Sequence, residues 1–215
     1  MTRSGFVWLA SYPRSGNTML RTILWHCFGL RSASMYPDDL TGNSELGERI
    51  GHIEHSPDGF LRWPLGDLPL IKTHHYPLDD NPAIYVVRDG RAACASLYRF
   101  EHMKVPLMEI ITGKHELGGW ASHLDAWRPW ARPDTLLLRY EDMTTNLGGV
   151  LSELSGFLDK GIITGHIPDR ESMAAVDGRY IRRKSDWREV FTDVDIEVFN
   201  NTHGEMMQRM GYSDR

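Results

Sequence analysis

The sequence predicts an α/β fold, a single domain over residues 1–215 with a mainly parallel central sheet flanked by helices. Three observations predict it. Short apolar runs alternate along the chain with segments of helical periodicity. The first run leads through a polar, glycine-containing turn straight into a helix, a P-loop-like strand–loop–helix of the kind that binds phosphate. The other polar motifs follow the ends of later apolar runs, where ligands bind in parallel sheets.

Residues 6–11 read as a short buried strand and residues 17–29 as a helix. In that helix Leu20, Ile23, Leu24 and Cys27 share one face, and Gly29 is its stop. Residues 31–67 are rich in Gly, Pro, Asp and Ser with weak periodicity, and read as mostly loop. Leu68–Thr73 and Ala83–Val87, bounded by Pro and Asn, read as two further strands. A helix follows Asp89 to about Met103, another covers roughly 117–128, and Thr135–Arg139 is a fourth strand. Helices near 147–158 and 195–210 complete the expected order.

The 215 residues, 41% hydrophobic and 25% charged, suit one globular domain. A net charge of −5 argues against a general polyanion binder, so no nucleic-acid partner is expected and any phosphate must be held by specific side chains. No apolar run approaches the ~20 residues of a membrane span. Gly5–Ala10 is too short for a secretory core and runs directly into Ser11-Tyr12-Pro13-Arg14. Cys27 and Cys94 stand in no metal or redox spacing and read as reduced core residues, so the expected compartment is the cytoplasm.

The strand at 6–11 runs into Ser11-Tyr12-Pro13-Arg14-Ser15-Gly16-Asn17-Thr18. Gly16 allows a tight turn and close backbone approach. The helix start offers unpaired N–H groups and a positive dipole end to an anion. Ser15, Asn17 and Thr18 add side-chain donors, and Arg14 a fixed positive charge. The Walker A loop, G-x-x-x-x-G-K-[ST], differs at two defining positions, because Ser11 replaces its first glycine and Asn17 its lysine. A plain strand–turn–helix whose polar residues only cap the helix is the bland alternative.

Tyr12-Pro13-Arg14-Ser15-Gly16-Asn17-Thr18 resembles the 5′-phosphosulfate loop of sulfotransferases that use 3′-phosphoadenosine 5′-phosphosulfate (PAPS). The resemblance gives Arg14 the place of the family's basic residue on the transferring group, and puts Met19 where the family usually has a tryptophan on adenine. Arg88, at a strand end, and Ser96, eight positions later, resemble the family's 3′-phosphate motif. Arg139-Tyr140-Glu141-Asp142-Met143 resembles a further strand-end segment, from which Tyr140 is carried over as a neighbour of the nucleotide. Arg182-Arg183-Lys184-Ser185-Asp186-Trp187-Arg188-Glu189-Val190-Phe191-Thr192 resembles the family's basic turn followed by Asp-Trp and Phe-Thr, although both glycines of that turn are missing. Arg182 and Arg183 are expected on the 3′-phosphate, with Arg179 and Lys184 as substitutes.

Sulfuryl transfer needs a group to take the acceptor's proton, and histidine suits that task near neutral pH. Of the ten histidines, His74 stands in Lys72-Thr73-His74-His75-Tyr76-Pro77, which resembles the family's Lys-Thr-His-x-x-Pro segment. The resemblance makes His74 the catalytic base and places Lys72 near the sulfate. Strand alternation puts Lys72 and His74 on one side, with Thr73 and His75 opposite. His52 and His55 do not make a metal site by spacing alone, and no H-E-x-x-H pattern or Cys/His cluster occurs, so no metal is expected.

The resemblance thus implies a PAPS-dependent sulfotransferase, with 3′-phosphoadenosine 5′-phosphate (PAP) as product and an acceptor hydroxyl or amine on a small molecule, glycoside or peptide-like compound. Trp63, Tyr76, Phe100, Met103 and Met108 are candidates to line the acceptor side, or core residues. A non-catalytic nucleotide-binding relative and a P-loop kinase are the rival readings, and the sequence fixes neither the acceptor nor the oligomeric state.

Overall fold

The computed structural model describes residues 5–40, 43–177 and 186–212. Strand β1 (Val7–Ser11) is buried at every residue. Helix α1 (Asn17–Phe28) follows it and ends at Gly29, whose φ of 66° is the left-handed conformation that a glycine stop supplies. The chain then forms β2 (Ser32–Ser34), α2 (Ser44–Arg49), β3 (His52–Ile53), β4 (Leu70–Thr73) and β5 (Ala83–Val87). Helices α3 (Gly90–Phe100), α4 (Leu107–Ile111) and α5 (Trp120–Trp127) precede strand β6 (Thr135–Arg139). After it come α6 (Tyr140–Thr145), α7 (Leu147–Leu158), α8 (Arg170–Val176), a 3₁₀ turn at Trp187–Glu189, and α9 (Asp193–Arg209).

The strands form one sheet of six in the order β3-β2-β4-β1-β5-β6, every pair parallel. The expected α/β class with a parallel sheet is therefore the observed one. Alternation along β1 splits the core in two. Val7 and Leu9 face α1 and α7, packing with Leu20, Ile23, Leu24, Val150 and Leu154. Trp8 and Ala10 face the other layer, with Trp120, Leu124, Trp127 and Phe199 of α5 and α9. Each fully buried Leu or Ile on these faces contributes about 1.5–3 kcal/mol relative to exposure.

Residues 31–67 are mostly loop, as expected, with three short elements among them. These are β2, α2 and β3, which extend the sheet by two strands. Ser32-Ala33-Ser34 carries no alternating pattern because all three residues are buried, so period 2 has nothing to report. Helices α4, α6 and α8, of 5, 6 and 7 residues, are too short for a periodic signal. Helix α3 stops at Phe100 rather than near Met103, because His102 and Met103 turn left-handed at φ 53° and 60°.

Parallel pairing places the carboxyl ends of β1, β4, β5 and β6 at one edge of the sheet. The chain leaves these strands through Ser11, Thr73, Val87 and Arg139 respectively. All the motifs found in the sequence before residue 178 begin at one of those exits.

Candidate active site

The phosphate loop is built on two left-handed residues, Arg14 at φ 64° and Gly16 at φ 110°. Gly16 has no alternative: a Cβ there would lie 2.4 Å from Cδ2 of Tyr140. It is also the N-cap of α1 and gives no side-chain cap, so the first N–H groups of that 12-residue helix point into the loop without a side-chain acceptor. Ser15 is buried at 1% exposure and its hydroxyl has no partner. A buried unpaired hydroxyl beside an uncapped helix start fits an anion's oxygens, which would satisfy both. The Asn17 amide donates to the Leu9 carbonyl at 2.8 Å and so ties the loop back to β1. Thr18 is half-buried in the first turn. Met19, also half-buried, packs against the apolar cluster of α1 and α7.

Arg14, Ser96, Arg88 and Tyr140 come together around this loop. Nε of Arg14 donates to Ser96 Oγ at 3.3 Å, and its guanidinium lies 4.7 Å from the Phe100 ring centre. Arg88 donates from Nη1 to the Arg14 carbonyl at 3.0 Å, holding the strained residue in place. The same guanidinium stacks 4.5 Å over the Tyr140 ring, whose hydroxyl accepts from Arg170 at 3.0 Å. Asp89 caps α3 by accepting from the Arg91 N–H at 2.9 Å. Glu141 bridges the Asp89 N–H at 3.1 Å and the Tyr212 hydroxyl at 2.8 Å, a fastening role that needs no chemistry.

Arg182 and Arg183, with Arg179 and Lys184, lie outside the described residues. The segment that follows them is docked on α3. Arg99 donates to the Asp186 carbonyl at 3.0 Å, and Arg91 lies 4.9 Å over the Trp187 ring.

His74 sits just past the end of β4 with three of its polar groups bound. Its N–H donates to the Tyr36 hydroxyl at 2.8 Å and its carbonyl accepts from His123 Nε2 at 3.1 Å. Its Nδ1 lies 2.8 Å from the Ser11 carbonyl. A carbonyl can only accept, so Nδ1 carries the proton and Nε2 keeps the lone pair. Burial, with Lys72 nearby, pulls the His74 pKa down to about 3, so the ring is neutral at physiological pH. An imidazole in that state is a base with its lone pair at Nε2.

Lys72 is buried, and its ammonium donates to Asp39 Oδ1 at 2.7 Å. Both Lys72 and His74 lie against Tyr36, at 5.6 Å and 6.0 Å from its ring centre. His75 is exposed yet meets the same ring at 5.4 Å, because the strand ends at Thr73 and its alternation does not reach His75. Tyr76 is 42% exposed and bonds Ser122 at 3.2 Å, and Met103 is 63% exposed.

One helix frames these exits. Trp120, His123 and Trp127 recur on one face of α5, are at most 1% exposed, and each donates a ring N–H to a carbonyl at the site. Trp120 bonds Arg88 at 3.1 Å, His123 bonds His74, and Trp127 bonds His75 at 2.9 Å. The Tyr85 hydroxyl donates to His123 Nδ1 at 2.7 Å and completes the chain. Sequence reasoning missed Tyr36, Asp39 and His123, and read Ser11 only as the start of the loop. A histidine on the same helical face as Trp120 and Trp127 was the one available signal, whereas nothing local marks Tyr36 or Asp39.

Comparison with known proteins gives the family and the fold. The model of the sulfotransferase domain family matches residues 5–211. Sulfotransferase 4A1 of Mus musculus is 27% identical over 177 residues, covering 73% of this chain and 60% of the relative. Luciferin sulfotransferase of Photinus pyralis is 28% identical over 207 residues, covering 77% of this chain and 54% of the relative. The chain thus spans little more than half the length of these curated relatives. Among solved structures, a mouse sulfotransferase complexed with PAP superposes with a TM-score of 0.65 at 20% identity, covering 96% of this chain and 86% of that one.

Proposed function

The chain belongs to the sulfotransferase domain family, and we propose that it transfers a sulfuryl group from PAPS to the hydroxyl or amine of a small acceptor, with His74 as general base. The observation that carries this reading is the hydrogen bond from His74 Nδ1 to the carbonyl of Ser11, the last residue of β1 before the phosphate loop. It fixes the tautomer of the base and joins the base to the donor loop by one peptide unit.

When bound, the donor supplies an activated sulfuryl group whose S–O bond to phosphate breaks as the acceptor oxygen or nitrogen bonds to sulfur. The residues supply the rest. Ser15, the backbone of Gly16 and the start of α1 hold the 5′-phosphate, with Thr18 in the same turn. Arg14 and Lys72 oppose the negative charge that develops on the leaving oxygen. Arg88 and Ser96, with Arg182 and Arg183, take the 3′-phosphate, and Tyr140 walls the nucleotide side. His74 accepts the acceptor's proton at Nε2, a role worth roughly 10²–10⁴ in rate. An anionic donor beside the imidazole raises the histidine's affinity for that proton at the moment it is needed.

Thermal denaturation with PAP, and separately with ATP and Mg²⁺, tests the donor. A ligand at 100 times its Kd stabilises by about 2.7 kcal/mol. A shift with PAP alone is expected. A shift with ATP alone would make the chain a kinase, and no shift with either would leave it a relative without the donor site. Turnover is then sought with ³⁵S-labelled PAPS and a panel of phenols, alcohols and amines.

A further inference from the structure

Asp39 belongs to none of the motifs, yet it is a buried carboxylate beside the site. It lies between β2 and α2, its side chain is 4% exposed, and it accepts from two cations. Lys72 Nζ bonds Oδ1 at 2.7 Å and Arg21 Nη1 bonds Oδ2 at 3.0 Å. Arg21, on α1, is fixed in turn by Ser32 Oγ at 2.8 Å and by His52 Nδ1 at 2.5 Å. A row of bonds therefore runs from the helix of the phosphate loop through Asp39 to the strand that leads into His74.

The electrostatics around Lys72 are one-sided. Its ammonium faces Arg21 from α1, Arg14 from the phosphate loop, His52 from β3, the Tyr36 ring, and His74 two residues on along its own segment. Burial lowers the lysine's pKa most, and Arg21 and Arg14 lower it further, while Asp39 alone raises it. Burial also pushes the Asp39 carboxyl up, but Lys72 and Arg21 outweigh burial and bring it to about 2. Ion pairs this deep add little net stability over apolar packing, so stability alone does not explain the arrangement. The same turn presents Tyr36, whose carbonyl accepts the Asp39 N–H at 3.1 Å and whose hydroxyl accepts the His74 N–H.

We propose that Asp39 is a positioning residue for sulfuryl transfer, fixing the Lys72 ammonium in its charged form beside His74; the inference rests on the reading of Lys72 as a residue that opposes charge on the transferring group.

The test reads the charge of Lys72 directly. Competitive acetylation with acetic anhydride, followed site by site by mass spectrometry, gives the pH at which the Lys72 amine becomes reactive. In Asp39→Asn that midpoint should fall by about one to three pH units. The alkaline limb of kcat/KM should fall with it, while the melting shift caused by PAP is kept. In Asp39→Asn/Lys72→Arg the limb should vanish, because an arginine does not lose its proton in this range. An unchanged acetylation midpoint overturns the proposal, and so does a midpoint that moves while the limb stays or a limb that persists in the double variant. If Asp39→Asn does not fold, the midpoint of Arg21→Gln/Asp39→Asn is compared with that of Arg21→Gln alone, so that the effect of Arg21 on Lys72 cancels and the same fall is expected. A wild-type protein that turns over no acceptor in the panel removes the proposed function alone, and acetylation still decides whether Asp39 sets the charge of Lys72.

Discussion

Nδ1 of His74 lies 2.8 Å from the carbonyl of Ser11, across the boundary between β4 and β1. Register pairs Ala10 with Thr73, so the residues one step further on, Ser11 and His74, meet where both strands end. The bond commits the imidazole proton to Nδ1 and leaves Nε2 as the accepting nitrogen. His74→Ala should lower kcat by roughly 10²–10⁴-fold. Its PAP-induced melting shift should equal that of the wild type, since the residue touches the loop only through the Ser11 backbone and hydroxyl. A variant that turns over normally would sink the assignment of the base.

Gly16→Ala tests the donor side. Its Cβ would stand 2.4 Å from the Tyr140 ring, at a φ of 110° that strains any side chain. The loop must open to relieve the clash, so the variant should lose the PAP-induced shift and melt lower, with strain on the order of 1–3 kcal/mol. Gly16→Ala/Tyr140→Ala removes the clash but not the strain, and should recover only part of the binding. Full PAP affinity in Gly16→Ala alone would show that the nucleotide does not depend on this turn.

Arg88 is tied to the loop as well as proposed for the 3′-phosphate, because it bonds the carbonyl of left-handed Arg14 and stacks on Tyr140. A lysine supplies the charge without the planar fork. Arg88→Lys should therefore weaken PAP binding by at least about tenfold, the effect of losing one charge-assisted hydrogen bond. Calorimetric titration with PAP decides it, and a Kd equal to that of the wild type would remove Arg88 from the loop's support.

The motifs legible in the sequence are those that concentrate chemistry in a few consecutive residues. Ser11–Thr18, Lys72–His74 and Arg88 each stand at a strand exit, and parallel pairing alone brings them together. The hidden part of the site acts across the fold. Asp39 reaches Lys72 over 33 positions of sequence, and His123 reaches His74 over 49, so no local pattern records either contact. The β2–β3 region was illegible for another reason: its strands of three and two residues are shorter than the window over which alternation can be recognised.

His123 is expected to matter through position. It is fully buried, it donates to the His74 carbonyl, and it accepts from Tyr85. His123→Phe leaves both partners unpaired, at about 1–3 kcal/mol for each buried group. Loosening the segment that carries the proposed base should reduce kcat by roughly 10–100-fold, while the PAP melting shift is unchanged. His123→Asn or Gln, which can still donate, should recover part of the rate. Equal losses in all three variants would mean that the hydrogen bond is not what positions His74.

Stability should fall in mild acid, and the buried histidines set the window. Burial pulls His123 and His203 down to about 4, and burial with Arg21 does the same to His52. Their side chains are almost fully enclosed. An unfolded histidine titrates near 6.5. Below that pH the unfolded chain binds protons that the folded chain refuses, so the contribution of these groups is complete above about 6.5 and is lost as pH falls toward about 4. Each histidine should add about 1.4 kcal/mol per pH unit to the slope inside that window. Asp39 is depressed rather than raised, so its contribution is kept until the pH drops below the ordinary carboxylate range and does not enter the window. Urea denaturation at pH 7.5, 6.0, 5.0 and 4.5 measures the slope. His203→Gln keeps a donor for the Ile111 carbonyl, which accepts from His203 Nε2 at 2.8 Å, but it cannot titrate. It should flatten the slope by one histidine's share, and an unchanged slope would place the acid sensitivity elsewhere.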